Sequence, residues 1–171
     1  MSLRFVALDE AIAAHYRRAG PDANGQVPER RVAQAGVLPC RHCLDMIRAG
    51  EAYLTLAHRP FPAPQPYAET GPIFLHAESC PRGGGTAEIP VFLASPCYIV
   101  RGYGWDDRIA YGTGGVVETT AIAARAAELL ADPAIAYLHV RSASNNCYHC
   151  RIERAGGAAL AAGAGQPISR V

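Results

Sequence analysis

The chain has 171 residues, half of them hydrophobic and 18% charged, with sixteen basic against fifteen acidic side chains for a net charge of +1. This is the composition of a folded protein at a length one domain can span (1–171), and it argues against a disordered chain, a nucleic-acid partner and an anionic membrane surface. Every basic residue is arginine, so Schiff-base catalysis, a phosphate-loop lysine and a Ser-Lys pair have no side-chain amine to use.

The opening "MSLRFVALDEAIAAHYRR" lacks a secretory pattern, because Asp9 and Glu10 fall where an apolar region would lie. No window reaches eighteen uninterrupted apolar residues either, and the expected location is cytoplasmic. "LRFVAL" (3–8) reads as a strand. "DEAIAAHYRRAG" (9–20) reads as a helix opened by acidic residues and stopped at Gly20-Pro21. "EAYLTLAHR" (51–59) and "GPIFLHA" (71–77) read as strands joined by "PFPAPQPY", whose alternating prolines favour an extended connection. "CYIVRGY" and "RIAYG" flank the turn-rich "GWDD" as a β-hairpin.

The strongest helix is "TTAIAARAAELLADP", with Thr119 or Thr120 as cap and Ile122, Ala126, Leu129 and Leu130 on one face. "IAYLHVR" (135–141) and "CYHCRIER" (147–154) form a second hairpin around "SASNN". The Gly/Ala-rich tail, from about residue 156, is expected to be loosely ordered. Thirteen prolines and seventeen glycines cut the chain into segments too short for long helices. The expected fold is therefore α+β, a mainly antiparallel sheet of about six strands with one principal packed helix and a loop-rich Cys/His knuckle.

Six cysteines, four of them in two CxxC pairs, read in a reducing compartment as ligands, catalysts or buried small hydrophobes rather than as disulfides. Cys40 and Cys43 have the spacing with which a tight turn aims two thiolates at one ion. The partners on offer are His76 with Cys80, or Cys147 with Cys150. Residues three apart on a strand point to opposite faces, so Cys147 and Cys150 need a bulge to meet, whereas one helical turn brings His76 and Cys80 to the same side. The expected site is Cys40, Cys43, His76 and Cys80 holding zinc. A thioredoxin-like redox or sensor role for "CRHC" is the competitor, but "VAQAGVLP" is a poor strand and no long helix follows.

"PCRHCLDMIRAGE", "AYLTLAHRPFPAPQPYAETGPIFLHAESC", "YIVRGY" and "HVRSASNNCYHCRIER" resemble a bacterial family catalogued as a domain of unknown function, number 1203. The resemblance spans nearly the whole chain, and "RPFP" with "ETGPIFLHAE" is its most specific part. It implies one intracellular domain and brings no assigned activity, cofactor or catalytic residue.

A hairpin symmetric about its five-residue loop pairs Arg141 with Cys147, His139 with His149 and Tyr137 with Arg151. One wet face then carries these six residues and Glu153, and the other carries Ala136, Leu138, Val140, Tyr148, Cys150 and Ile152 toward the core. A thiol beside imidazoles and guanidiniums is the setting of a nucleophile, so the enzyme alternative uses Cys147 as nucleophile, His149 or His139 as base, and Arg141 or Arg151 to bind a small anionic substrate. Tyr67, Glu69 and Arg101 are further binding candidates. HExxH, GxSxG, phosphate-loop and dinucleotide signatures are absent from the sequence. The leading expectation is a small binding or accessory module with a structural zinc-type site and a small-molecule or protein partner.

Overall fold

The computed structural model describes residues 2–156, so the expectation for the tail beyond 156 lies outside the described residues. In chain order the elements are β1 (Leu3–Val6), α1 (Glu10–Arg17), β2 (Glu29–Val32), β3 (Leu38–Pro39), β4 (Met46–Ile47), β5 (Ala52–His58) and β6 (Gly71–His76). There follow β7 (Cys97–Gly104), β8 (Gly115–Glu118), a 3-10 turn (Thr119–Ala121), α2 (Ile122–Leu129), β9 (Ile135–Ser142) and β10 (Tyr148–Arg154). The fold is α+β and mainly antiparallel, as expected. Its strands divide into a five-stranded sheet ordered β1-β10-β9-β7-β8, a three-stranded sheet ordered β2-β5-β6, and the small β3-β4 hairpin. None of the helices among the described residues is long and apolar enough to cross a membrane.

Helix α1 starts where Asp9 caps it, its side chain accepting from the Ala11 amide at 2.9 Å. Helix α2 starts differently from expectation. Thr119 donates its hydroxyl to the Ser95 carbonyl, the 3-10 turn absorbs Thr119 and Thr120, and the α-helix then opens at Ile122 without a side-chain cap. Its stability comes from packing: Ile122, Ala126 and Leu130 are fully buried with Leu129 beside them, and each large aliphatic chain contributes about 1.5–3 kcal/mol by leaving water. They cover one face of the five-stranded sheet, where Leu138, Val140, Cys150 and Ile152 complete the main core.

Two hairpins depart from the sequence reading. Around "GWDD" the turn forms, with Gly104 N–H donating to Arg108 at 2.9 Å, but "RIAYG" does not continue as a strand; β7 pairs instead with β8. The β9–β10 hairpin is not symmetric. Arg141 pairs with Tyr148, the register shifts between Tyr148 and Cys150, and His139 then pairs with Arg151. The extra residue at His149 is a β-bulge, which puts His149 on the side of Phe92 and Tyr98 and sends Tyr148 to the opposite face beside His139.

The expected wet face is wet only in part: Cys147, Arg151 and Glu153 stay partly exposed, and the rest is buried. Tyr137, His139 and Arg141 are at most 4% exposed, because the segment between β5 and β6 folds across them and plants Phe61 against Tyr103 and His139. "PFPAPQPY" is thus a cover that bends back on itself, with Ala68 N–H returning to the Gln65 carbonyl, rather than a straight extended connection.

Candidate metal centre

Cys40 and Cys43 sit at the tip of the β3–β4 hairpin. Cys40 N–H donates to Asp45 and Leu44 N–H returns to the Cys40 carbonyl, with Leu44 in the left-handed region (φ 57°) that closes so tight a turn. The tip lies against the end of β6, where Arg41 N–H donates to the Phe74 carbonyl and Cys40 bridges Phe74. His76 is the last residue of β6, and the chain then bends, rather than making the expected helical turn, to bring Cys80 back. A side chain on Gly83 would run into the Cys43 carbonyl, and Gly83 N–H donates to His42, so the following loop closes directly on the knuckle backbone.

The result is one cluster. The three sulfurs and an imidazole nitrogen of Cys40, Cys43, His76 and Cys80 all lie within 4.8 Å of one another. A tetrahedral ion with metal–sulfur bonds near 2.3 Å and metal–nitrogen bonds near 2.0–2.1 Å needs donor-to-donor edges of about 3.5–3.8 Å. The Cys43 Sγ to His76 Nδ1 separation of 3.4 Å is close to such an edge, and with every donor pair within 4.8 Å, shifts of about 1 Å or less would let the four hold an ion.

The surrounding groups fix the donors' chemistry. His76 Nε2 lies 3.2 Å from a Glu51 carboxylate oxygen; a carboxylate accepts, so the proton belongs on Nε2 and the Nδ1 lone pair faces the sulfurs. Arg17 donates to Cys80 Sγ at 3.1 Å, and His42 Nδ1 lies 3.3 Å from the same sulfur while His42 Nε2 donates to Glu10 at 2.8 Å. Cys40 is fully buried and accepts from the His76 amide. Hydrogen bonds from the Cys43 and Cys80 thiols hold the Cys40 thiol far below its ordinary range. The same contact with Cys40 raises Cys43 and pushes Cys80 up to about 11. A dication bound among them would deprotonate all three.

The two residues between the thiols anchor the knuckle. Arg41, 2% exposed, donates to the Tyr148 carbonyl at 2.8 Å and to Pro39 at 2.6 Å, and burial draws its pKa down to about 10, which leaves it charged at neutral pH. His42 ties the tip to α1. Glu10, Arg17, Arg41, His42 and Glu51 were not among the candidates from sequence. Only the position of Arg41 and His42 inside the CxxC hinted at them. The hairpin setting also lacks the helix N-terminus that a thioredoxin-type thiol uses.

The other candidates divide into two groups. Cys147 donates to the Asn145 carbonyl at 3.6 Å, and no hydrogen bond joins its sulfur to His139 or His149 among the described residues. The bulge turns His149 toward Phe92 and Tyr98, with its Nδ1 3.1 Å from the Cys147 carbonyl oxygen, and burial lowers its pKa to about 3. His139 is enclosed by Phe61, Tyr103, Tyr137 and Tyr148, and burial holds its pKa well below the ordinary value. Cys150 is fully buried in the main core. Glu69, Arg101 and Arg141, by contrast, do meet: one oxygen of Glu69 accepts from Arg101 at 2.5 Å and lies 3.0 Å from Arg141. Tyr67 stands apart with Tyr111 and Arg108, and Arg151 lies over the Tyr137 ring at 3.6 Å.

Neither the curated proteins nor the solved structures contain a match to this chain. The family model described as "Protein of unknown function (DUF1203)" matches residues 37–154, a span that includes the four clustered Cys/His residues and the Glu69 arginine pair. The chain belongs to that family.

Proposed function

We propose that this chain is a small binding or accessory domain whose Cys40, Cys43, His76 and Cys80 hold a structural zinc ion. The observation that carries the reading is the convergence of three sulfurs and one imidazole nitrogen, from two separate stretches of chain, to within 4.8 Å. Zinc suits this donor set because it has no geometric demand beyond a tetrahedron and binds thiolate and imidazole together. Four protein donors close the tetrahedron and leave no position for water, so the ion joins segments and performs no chemistry.

The second layer of contacts supports the same reading. Three thiolates around a dication leave one negative charge, and Arg17, whose side chain is 10% exposed, is placed to offset it at Cys80. Glu51 behind His76 completes the carboxylate–histidine–metal arrangement that orients an imidazole ligand. The ion would join the β3–β4 hairpin to the end of β6. Arg41 and His42 extend that joint to β10 and α1.

The test is elemental analysis of protein purified without added metal, together with thiol counting under native conditions. The reading expects about one zinc per chain, with Cys40, Cys43 and Cys80 slow to alkylate until a chelator is added. Less than about a tenth of an equivalent of any transition metal, with those thiols reacting at the same rate before and after chelation, would leave a cluster of reduced thiols instead.

A further inference from the structure

The face of the five-stranded sheet that the 59–70 segment covers holds a second polar cluster, and its charges do not balance. Arg101 on β7 and Arg141 on β9 converge on one carboxylate oxygen, Glu69 Oε2. Their side chains are 17% and 4% exposed. Glu69 is the one carboxylate within ion-pair distance of either arginine among the described residues. Nearby, Glu153 is taken by Arg4 and Arg151, and Asp107 accepts from the Tyr137 hydroxyl. Arg141 Nη1 is buried with no hydrogen-bond partner among the described residues, and the same holds for both ring nitrogens of His139 beneath it.

One buried and one part-buried guanidinium against one carboxylate leave a positive charge without compensation, which a protein interior tolerates poorly. The geometry is also incomplete. Glu69 offers a single oxygen to one nitrogen of each arginine; Arg101 Nε donates to the Tyr103 hydroxyl and Arg141 Nε to the Asn146 side chain, so the unfilled position is Arg141 Nη1. Glu69 also rides on a cover segment rather than on a sheet strand, so its carboxylate can leave without breaking a strand pairing.

We propose that Arg101 and Arg141 form a binding site for a small organic carboxylate, and that Glu69 is the chain's own occupant of that site, displaced when the ligand binds. The ligand's carboxylate takes the place of Glu69, its second oxygen serving Arg141 Nη1, and its apolar body enters beside Phe61 and Tyr103, which the cover buries to 6% and 0% exposure, as the Glu69 stretch of the cover lifts. These apolar neighbours favour an organic carboxylate over inorganic phosphate. This site stands apart from the Cys/His cluster and does not depend on what that cluster holds.

An NMR titration of the full chain tests it, with benzoate as probe, acetate and inorganic phosphate as comparisons, and the backbone amides of 99–103 and 139–142 as reporters. Benzoate should shift these amides saturably, and Glu69→Gln, which removes the internal competitor's charge, should tighten binding about tenfold if Glu69 occupies the site about nine-tenths of the time. Arg101→Gln, chosen because this arginine is the less buried of the pair, should abolish the shifts while the zinc content and the rest of the spectrum stay as in wild type. Saturable binding of phosphate but not of benzoate would overturn the carboxylate assignment. Benzoate shifts that survive Arg101→Gln, or no saturable shifts in either wild type or Glu69→Gln, would overturn the site itself.

Discussion

The α2-covered face of the five-stranded sheet and the β3–β4 knuckle are both buried, but they are held by different means. On the first, Ile122, Ala126, Leu130, Leu138, Val140 and Ile152 leave no polar atom to satisfy, and burial alone supplies the cohesion. On the second, buried positions go to Cys40, Arg41 and His42, and the cohesion runs through directed contacts to Tyr148, Glu10 and the sulfurs. An apolar face loses stability in proportion to the volume removed, whereas a knuckle of donors fails as a unit when its centre is lost. Mutations should separate the two.

The largest effect is expected at the knuckle. Cys40→Ala should remove the ion and cost more than about 5 kcal/mol, enough to erase the stability of a typical domain, read as loss of both zinc and a cooperative denaturant transition. A cost near about 1 kcal/mol with no change in metal content would place Cys40 with the ordinary small hydrophobes. On the other region, Ile152→Ala should cost about 2–5 kcal/mol while zinc content stays at the wild-type level. If it also released the metal, the two regions would be one cooperative unit and the distinction would fail.

Smaller changes sharpen the contrast. Glu51→Gln keeps the His76 contact but weakens its polarisation, and should lower zinc affinity about 10–100-fold in a chelator competition with little change in the fold. The aromatic face gives a pH signature of its own. Burial keeps His139 neutral in the folded protein, with its pKa well below the ordinary value; it also brings His58 down to about 4 and, helped by Arg41, His149 down to about 3. The unfolded chain binds those protons below about pH 6.5, so stability is undiminished above that pH and falls as the solution is acidified through it. With three such histidines the slope near pH 5 should be about 4 kcal/mol per pH unit, and His139→Leu should reduce it by about 1.4. Unfolding curves in zinc-saturated buffer measure the difference, with ion loss common to both proteins. An unchanged slope would mean that His139 takes up no extra proton on unfolding.

The parts of the molecule legible from sequence are those where local spacing determines geometry. Alternation placed β5, β6, β7, β9 and β10, and the 3.6-residue period put Ile122, Ala126, Leu129 and Leu130 on one buried face. The CxxC spacing and the nearness of His76 to Cys80 singled out the four residues that cluster, although a bend rather than a helical turn joins the last two. One inserted residue was invisible. The bulge at His149 turns Tyr148 to the opposite face and aims His149 at Phe92 and Tyr98, because a strand's sidedness reverses with a slip of one. The cover over Tyr137, His139 and Arg141 was hidden for another reason, since it comes from residues far back in the chain whose prolines suggested only an extended link. Glu10 reaches His42, Arg17 the Cys80 sulfur and Glu51 His76, each from elsewhere in the chain, and no local pattern marks such contacts.

Zinc K-edge X-ray absorption on protein expressed without metal supplementation tests the proposed centre most directly. The account predicts about one zinc per chain with three sulfurs near 2.3 Å and one nitrogen near 2.0–2.1 Å, and a first shell reduced to two sulfurs in Cys80→Ser. A first shell of light atoms alone, or a spectrum identical in wild type and Cys80→Ser, would contradict it.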